Sequence, residues 1–257
     1  MVNYPVAIIS DLHSNLEALI AVLKDAKKRG VRQIYCLGDV IGYGPNPNEV
    51  LKLAEKFVFS LLGNHDEAIL NGKGLEFFNP IATQAALWTR DNIFYPSVPK
   101  ELSAKNKLFL QGMRRRVKIG NLIFAHGSIA SNTDYIRTYA DGLESFARME
   151  RKNVIACFVG HTHRPCVFIE GISGSISFDA EKSFAIEENK KMIVNVGSVG
   201  QSRDNNWRAC YLIIEGNRFY YRRVEYDVEK TQKKIYNIDR LNNFLGDRLK
   251  FRDEPTK

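Results

Sequence analysis

Five short segments hold all 5 histidines of the chain: Asp11-Leu12-His13, Gly38-Asp39, Gly63-Asn64-His65-Asp66, Ala125-His126-Gly127-Ser128 and Gly160-His161-Thr162-His163. Their donor atoms are carboxylate, imidazole and amide carbonyl, with no thiolate. That set suits manganese first, with iron, zinc, nickel, cobalt or magnesium as other divalent choices. Two aspartates and at least four histidines exceed the needs of one ion. They fit two ions about 3.5–4 Å apart, the spacing of dinuclear sites that cleave phosphoesters. Asp39 is the natural shared carboxylate, because Asp11 pairs with His13 on one side. Each segment alone has a plainer explanation: a histidine near a strand end usually packs, and Asp11, Asn64 and Asp66 could be helix-terminal groups. Five such segments together point to a metal site.

The elements before these segments share one grammar. Val6–Ser10, the run IYCLG at 34–38 and FVFSLLG at 57–63 are apolar and strand-like. Each is followed by a polar residue able to bind a metal. In open α/β sheets, ligands sit just beyond the carboxyl ends of strands, so the five segments are expected to converge on one crevice. In extended chain, residues two apart point the same way. On that basis His161 and His163 share a cavity, and so do Asp11 and His13.

Between the first strands lie helical patterns. Leu16, Leu19, Ile20 and Leu23 recur at helical spacing, with Ser14 and Glu17 as a capping box and Gly30 as a stop. Asn46 as N-cap, with Pro47 at the first helical position and Glu49 three residues on, opens a second helix. The rhythm predicts an α/β fold that starts with parallel strands. Residues 65–112 read as helical, with Asn79-Pro80 as another cap. Strands are expected at Val117–Ala125, Val154–Val159, Val167–Glu170, Met192–Val196 and Ala209–Glu215. Residues 215–218 form a hairpin turn before FYYRRVEY. Helices are expected near Ala140–Arg151 and Asp227–Phe244, with a frayed tail LKFRDEPTK. The whole, 1–257, reads as a single domain with a helical insertion about 71–111 and a C-terminal hairpin plus helix about 209–245.

Composition limits the partners. No apolar run approaches membrane-spanning length, and the N-terminus lacks a basic-then-apolar leader, so a cytoplasmic protein with no membrane partner is expected. The 4 cysteines form no C-x-x-C pair and read as buried thiols in a reducing compartment. Net charge is +8, with basic clusters at 113–118 and 220–224. Anionic partners are favoured, a phosphorylated small molecule and possibly a nucleotide. Nucleic acid is a weaker candidate, because no recognised binding motif accompanies the charge. Oligomeric state is not legible.

The ordered set DLH, GD, GNHD, AHGS and GHTH resembles the calcineurin-like metallophosphoesterase superfamily over roughly residues 6–200. GDVIGYGPNPNEV, FNPIATQAALWTRDN and NVGSVGQSRD are also similar to a prokaryotic branch of predicted phosphodiesterases. Prolines are usual there where Val196 and Ser202 stand. NVGSVG could cradle a phosphate, but a structural turn is the preferred reading. The resemblance implies a four-layer α/β/β/α sandwich of two mixed sheets. It implies that Asp11, His13, Asp39 and His163 hold one ion, and that Asp39, Asn64, His126 and His161 hold the other. His65 would be catalytic, contacting the phosphate, with Asp66 orienting it. A metal-dependent phosphoester hydrolase, a phosphodiesterase with a hydroxide between two ions, is the expected activity. A dinucleoside polyphosphate hydrolase, a phosphoprotein phosphatase, a nuclease and a non-enzymatic scaffold are the alternatives. Substrate choice is expected to lie in Asn71–Gln111 and Gln201–Trp207. There Phe77, Phe78 and Trp88 are read as packing rather than stacking groups.

Overall fold

A computed structural model describes residues 2–94, 98–177, 182–187 and 189–250. The first half runs β1 (Val2–Ile9), α1 (Leu16–Lys28), β2 (Gln33–Cys36), α2 (Pro47–Ala54), β3 (Phe59–Ser60) and α3 (Asn64–Asn71). A single 3-10 turn at Leu75–Phe77 precedes α4 (Pro80–Phe94) and α5 (Lys100–Gln111). The second half holds β4 (Arg116–Ile119), β5 (Leu122–Ala125), α6 (Tyr139–Arg151), β6 (Ala156–Val159) and β7 (Cys166–Ile169). It continues through β8 (Ile176–Ser177), β9 (Ser183–Ala185), β10 (Met192–Asn195), β11 (Ala209–Gly216) and β12 (Arg218–Val224). Helices α7 (Val228–Tyr236) and α8 (Phe244–Asp247) follow.

Two mixed sheets result, ordered β3-β2-β1-β11-β12-β9 and β4-β5-β6-β10-β7-β8. Strands β1, β2 and β3 are parallel, as are β5, β6 and β10. The hairpin partner β11 joins β1 antiparallel. The two-residue period of a strand explains the layering. Ala7 and Ile9 of β1 face one core with Leu19, Val22, Val50 and Leu51 of α1 and α2. Val6 and Ile8 face the other way, into a core shared with Phe124, Phe158 and Val194 of the second sheet. On that sheet Ile123, Cys157 and Ile193 point outward, to Phe146 and Met149 of α6. The expected order of helix, sheet, sheet, helix is the one observed.

Several expected elements are corrected. Residues 117–125 are not one strand: β4 and β5 form a hairpin around Gly120, whose φ of +58° is the left-handed turn conformation. The run at 57–63 pairs only over β3, with one isolated bridge from Leu61 to Arg114. The cap of α1 is Asn15, not Ser14; its Oδ1 accepts from Ala18 N at 3.1 Å. Glu17, expected in that cap, is instead bonded by Lys234 Nζ at 2.7 Å. Asn46 stands at the N-cap of α2, but its side chain makes no cap bond and its amide donates to Glu49 Oε1. The cap at Asn79 is as expected, with its Oδ1 accepting from Ala82 N. The C-terminal helix is broken, because α7 ends at Tyr236 and a turn separates it from α8. Strands β8 and β9 lie in a stretch to which the sequence patterns assign no element. Most of the tail expected to fray lies outside the described residues.

Candidate metal centre

All five segments meet at the carboxyl ends of the strands. Asp11 and His13 follow β1, Asp39 follows β2, Asn64 and His65 open α3 beyond β3, His126 follows β5, and His161 and His163 follow β6. Donor atoms of Asp11, His13 and His163 lie within 4.8 Å of one another, and so do those of Asp39, His126 and His161. A third group, His13, Asp39 and His65, links the two. Asp39 Oδ2 is 3.3 Å from His126 Nε2 and 3.6 Å from His13 Nε2. Asp11 Oδ1 is 3.3 Å from His163 Nε2, and Asn64 Oδ1 is 3.1 Å from His126 Nε2. Every residue assigned to the site by sequence is therefore gathered in it, with Asp66 the exception in what it contacts.

The route to this convergence differs from the one expected. Asp11, His13, Asp39, His161 and His163 all have φ between 45° and 66°. They lie in the left-handed region, which disfavours non-glycine residues, and are not extended. The alternation expected of extended chain therefore does not aim His161 and His163. Tight left-handed turns do. Backbone bonds hold these turns: His13 N donates to Asp39 O at 2.9 Å and Asp11 N to Gly38 O at 2.9 Å. Two glycines are demanded by close approach. A Cβ on Gly63 would lie 2.1 Å from Asp39 Oδ1, and one on Gly160 would lie 2.0 Å from Ser10 Oγ.

A second layer orients the imidazoles. His126 Nδ1 bonds Leu37 O at 3.0 Å and His163 Nδ1 bonds Gln201 O at 2.6 Å, so each turns Nε2 toward the carboxylates. Asn195 was not singled out by sequence. Its amide donates to Gly160 O at 2.6 Å and to Thr162 Oγ1 at 2.9 Å, bracing the loop that carries His161 and His163. Ser198 Oγ donates to Asp11 O, and the N–H groups of Val199 and Gly200 bond Ser10 O and Asp11 O. NVGSVG is thus a structural turn: the N–H groups of Val196, Gly197, Val199 and Gly200 are already used within the fold, which argues against a phosphate cradle. Val196 N donates to Val159 O at 2.8 Å, a bond that a proline there would forfeit. Tyr43 was also missed. Its ring lies 4.7 Å from His13 and 4.4 Å from His65. Only the larger motif around Tyr43 and Asn195 signalled these two.

Asp66 does not orient the His65 ring. Its oxygens accept from Ile41 N and Gly63 N, both at 3.1 Å, and His65 Nδ1 has no hydrogen-bond partner. Asp66 ties the loop after β2 to the start of α3, and His65 is held by packing against Tyr43 and Phe78.

Charge follows from burial and neighbours. Burial opposes ionisation of Asp39 and Asp11, but facing imidazoles, His126 and His163 foremost, hold both carboxyls well below the usual range. His126 is desolvated too, yet Asp39 pulls it up to about 9. Burial pushes His161 down to about 3 and His65 to about 4, and holds His13 well below its ordinary value. The pocket thus presents ionised carboxylates beside mostly neutral imidazoles, the protonation states that metal ligands need. His161 Nε2 is buried with no hydrogen-bond partner, and His13 and His163 turn Nε2 atoms toward each other at 3.1 Å. A buried nitrogen left unpaired is costly unless something else meets it. The donor set and this orphaned atom fit divalent cations.

Fold and donor set together define a metal-dependent phosphoester hydrolase. The chain belongs to the calcineurin-like phosphoesterase family, whose profile matches residues 4–165. It is similar to an uncharacterized protein of Methanocaldococcus jannaschii, 37% identical across 97% of this chain and 98% of that one. It is also similar to a metallophosphoesterase from Sphaerobacter thermophilus of known crystal structure. That protein is 32% identical, with a TM-score of 0.82 over 96% of this chain and 98% of the other. A hypothetical protein from Pyrococcus horikoshii, 16% identical with a TM-score of 0.71 over 97% and 99%, shares the fold. No helix among the described residues is long and apolar enough to cross a membrane.

Proposed function

We propose that the protein is a phosphodiesterase that works with two divalent cations, manganese foremost. Asp11, His13 and His163 would hold one cation, Asn64, His126 and His161 the other, and Asp39 would serve both. The observation that carries this reading is the position of Asp39 Oδ2, between His126 Nε2 at 3.3 Å and His13 Nε2 at 3.6 Å. One carboxylate oxygen faces an imidazole from each cluster. When bound, such a pair supplies Lewis acidity that acidifies water and offsets phosphate charge.

The chain's own residues do the remaining work. The second layer of Leu37, Gln201 and Asn195 fixes the ligands before substrate arrives, so little reorganisation accompanies reaction. His65 is held neutral near pH 7 and lines the cleft beside the centre. Its ring N–H donates a hydrogen bond to the leaving oxygen, and an anionic substrate beside it favours the imidazolium form, which can release a proton to that oxygen. Asp66 holds the backbone on which His65 sits.

The test is metal-stripped protein reloaded with Mn²⁺ and assayed on bis-p-nitrophenyl phosphate and p-nitrophenyl phosphate. Faster metal-dependent cleavage of the diester is expected. Cleavage of neither ester with any divalent metal would refute the proposal, and a clear preference for the monoester would refute its diester part.

A further inference from the structure

A cleft of about 500 Å³ opens beside the metal centre. Asn64, His65 and His161 line it and are also residues of the centre. Its outer walls include Phe77, Phe78, Lys73 and Arg115. The volume falls in the range of small-molecule sites, with room for the rest of a substrate.

The aromatic residues near the cleft separate into different roles. Trp88 is buried in a core with Ile235 and Leu245. Phe78 packs against the His65 ring at 4.4 Å. Tyr135 is stacked on His161 at 3.9 Å and carries Arg137 over its ring at 4.4 Å. Phe77 is different: it is 84% exposed. It sits in the 3-10 turn that follows Gly72 and Gly74, whose φ values of 80° and 83° are left-handed. Those two conformations turn the chain sharply and place a large apolar ring where it contributes nothing to a core.

Charge narrows the occupant. The cleft's two cationic side chains are matched by two acidic ones, Glu67 and Glu76. Arg115 bonds Glu67 Oε1 and donates to Asn132 Oδ1 at 3.0 Å, and Lys73 Nζ lies 3.6 Å from Glu67 Oε1. A second phosphate would have to compete with Glu67 for both cations. An uncharged planar group needs neither.

We infer that the cleft takes the leaving group of a phosphodiester, and that this group is uncharged and planar, of nucleoside size, with its ring stacked on Phe77. The assignment rests on the phosphoesterase reading above and names the substrate class of the same site.

Calorimetric titration of the Mn²⁺-loaded full chain tests it, with adenosine, ribose and inorganic phosphate as probes. Adenosine is expected to bind at least about tenfold more tightly than ribose. Phe77→Ala weakens adenosine about two- to tenfold and Phe77→Trp restores it. In both variants metal content and inorganic phosphate affinity match the parent, which separates loss of stacking from loss of the centre. Adenosine binding no tighter than ribose, or unchanged in Phe77→Ala, overturns the inference while leaving the phosphoesterase reading standing. Failure of the parent to hold metal or inorganic phosphate overturns both.

Discussion

Asp39 Oδ1 accepts a hydrogen bond from the backbone N–H of His65 at 2.9 Å. The carboxylate that faces imidazoles from both clusters is therefore anchored, through its other oxygen, to the first turn of α3. Helix N-terminal N–H groups stabilise negative charge. This bond keeps Oδ2 free for the centre and couples the position of Asp39 to that of His65.

Asp39→Asn removes the shared charge while keeping the shape. We expect kcat/KM to fall by at least about 100-fold and metal content to drop in the same preparation. Undiminished turnover would contradict the role given to this carboxylate. Steady-state kinetics paired with metal analysis by mass spectrometry decide between them.

Gly63→Ala places a methyl group 2.1 Å from Asp39 Oδ1, which the N–H of His65 holds in place, and 2.3 Å from the backbone N of Asp39. Overpacking of this kind costs about 1–3 kcal/mol. A lower urea midpoint for the metal-free variant, with an unchanged slope, is the expected readout.

Asn195→Ala should leave the fold intact while loosening the loop that carries His161 and His163. The expected effect is a 10- to 100-fold loss of metal affinity, on the order of other second-layer losses. Competition with a chelator of known affinity measures it.

The metal-free protein should be most stable near pH 6.5. His65 at about 4, His161 at about 3, and His13 and His163, which are also lowered, bind protons more weakly folded than unfolded. As pH falls below the unfolded value of about 6.5, the unfolded state takes up more protons and stability is lost. Above 6.5 the sign reverses. Asp66, raised by burial to about 7, and His126, raised to about 9, keep protons that the unfolded chain has released. Asp66 opposes the histidines below 6.5 as well, but there it is one group against four. Urea midpoints of chelator-treated protein between pH 4 and 9 should trace this maximum. A midpoint rising steadily to pH 9 would contradict it.

Much of this centre is legible in the sequence, and the reasons are physical. A strand running into a small residue and then a metal-binding side chain places that side chain at a strand end, and five such strand ends in two parallel runs must share an edge. The parallel start of the first sheet follows from the alternation of strand and helix along the chain. What failed was local. His161 and His163 converge through left-handed turns, and no residue pattern in GHTH encodes a positive φ. Asp66 serves the backbone rather than the His65 ring, because two N–H groups from different segments reach it first. The contribution of Asn195 depends on β10 lying beside β6, a long-range pairing that spacing does not reveal. Phe77 reads as a packing group in the sequence, and its exposure is not legible there, since exposure of an aromatic residue depends on where the whole chain leaves a gap.

If these residues hold a pair of cations, counting the ions on the loaded chain tests that most directly. Protein stripped with chelator, reloaded with Mn²⁺ and desalted should retain two ions per chain by mass spectrometry, falling toward zero in Asp39→Asn. Retention of one ion would contradict the paired centre, and retention of none would contradict the metal site itself.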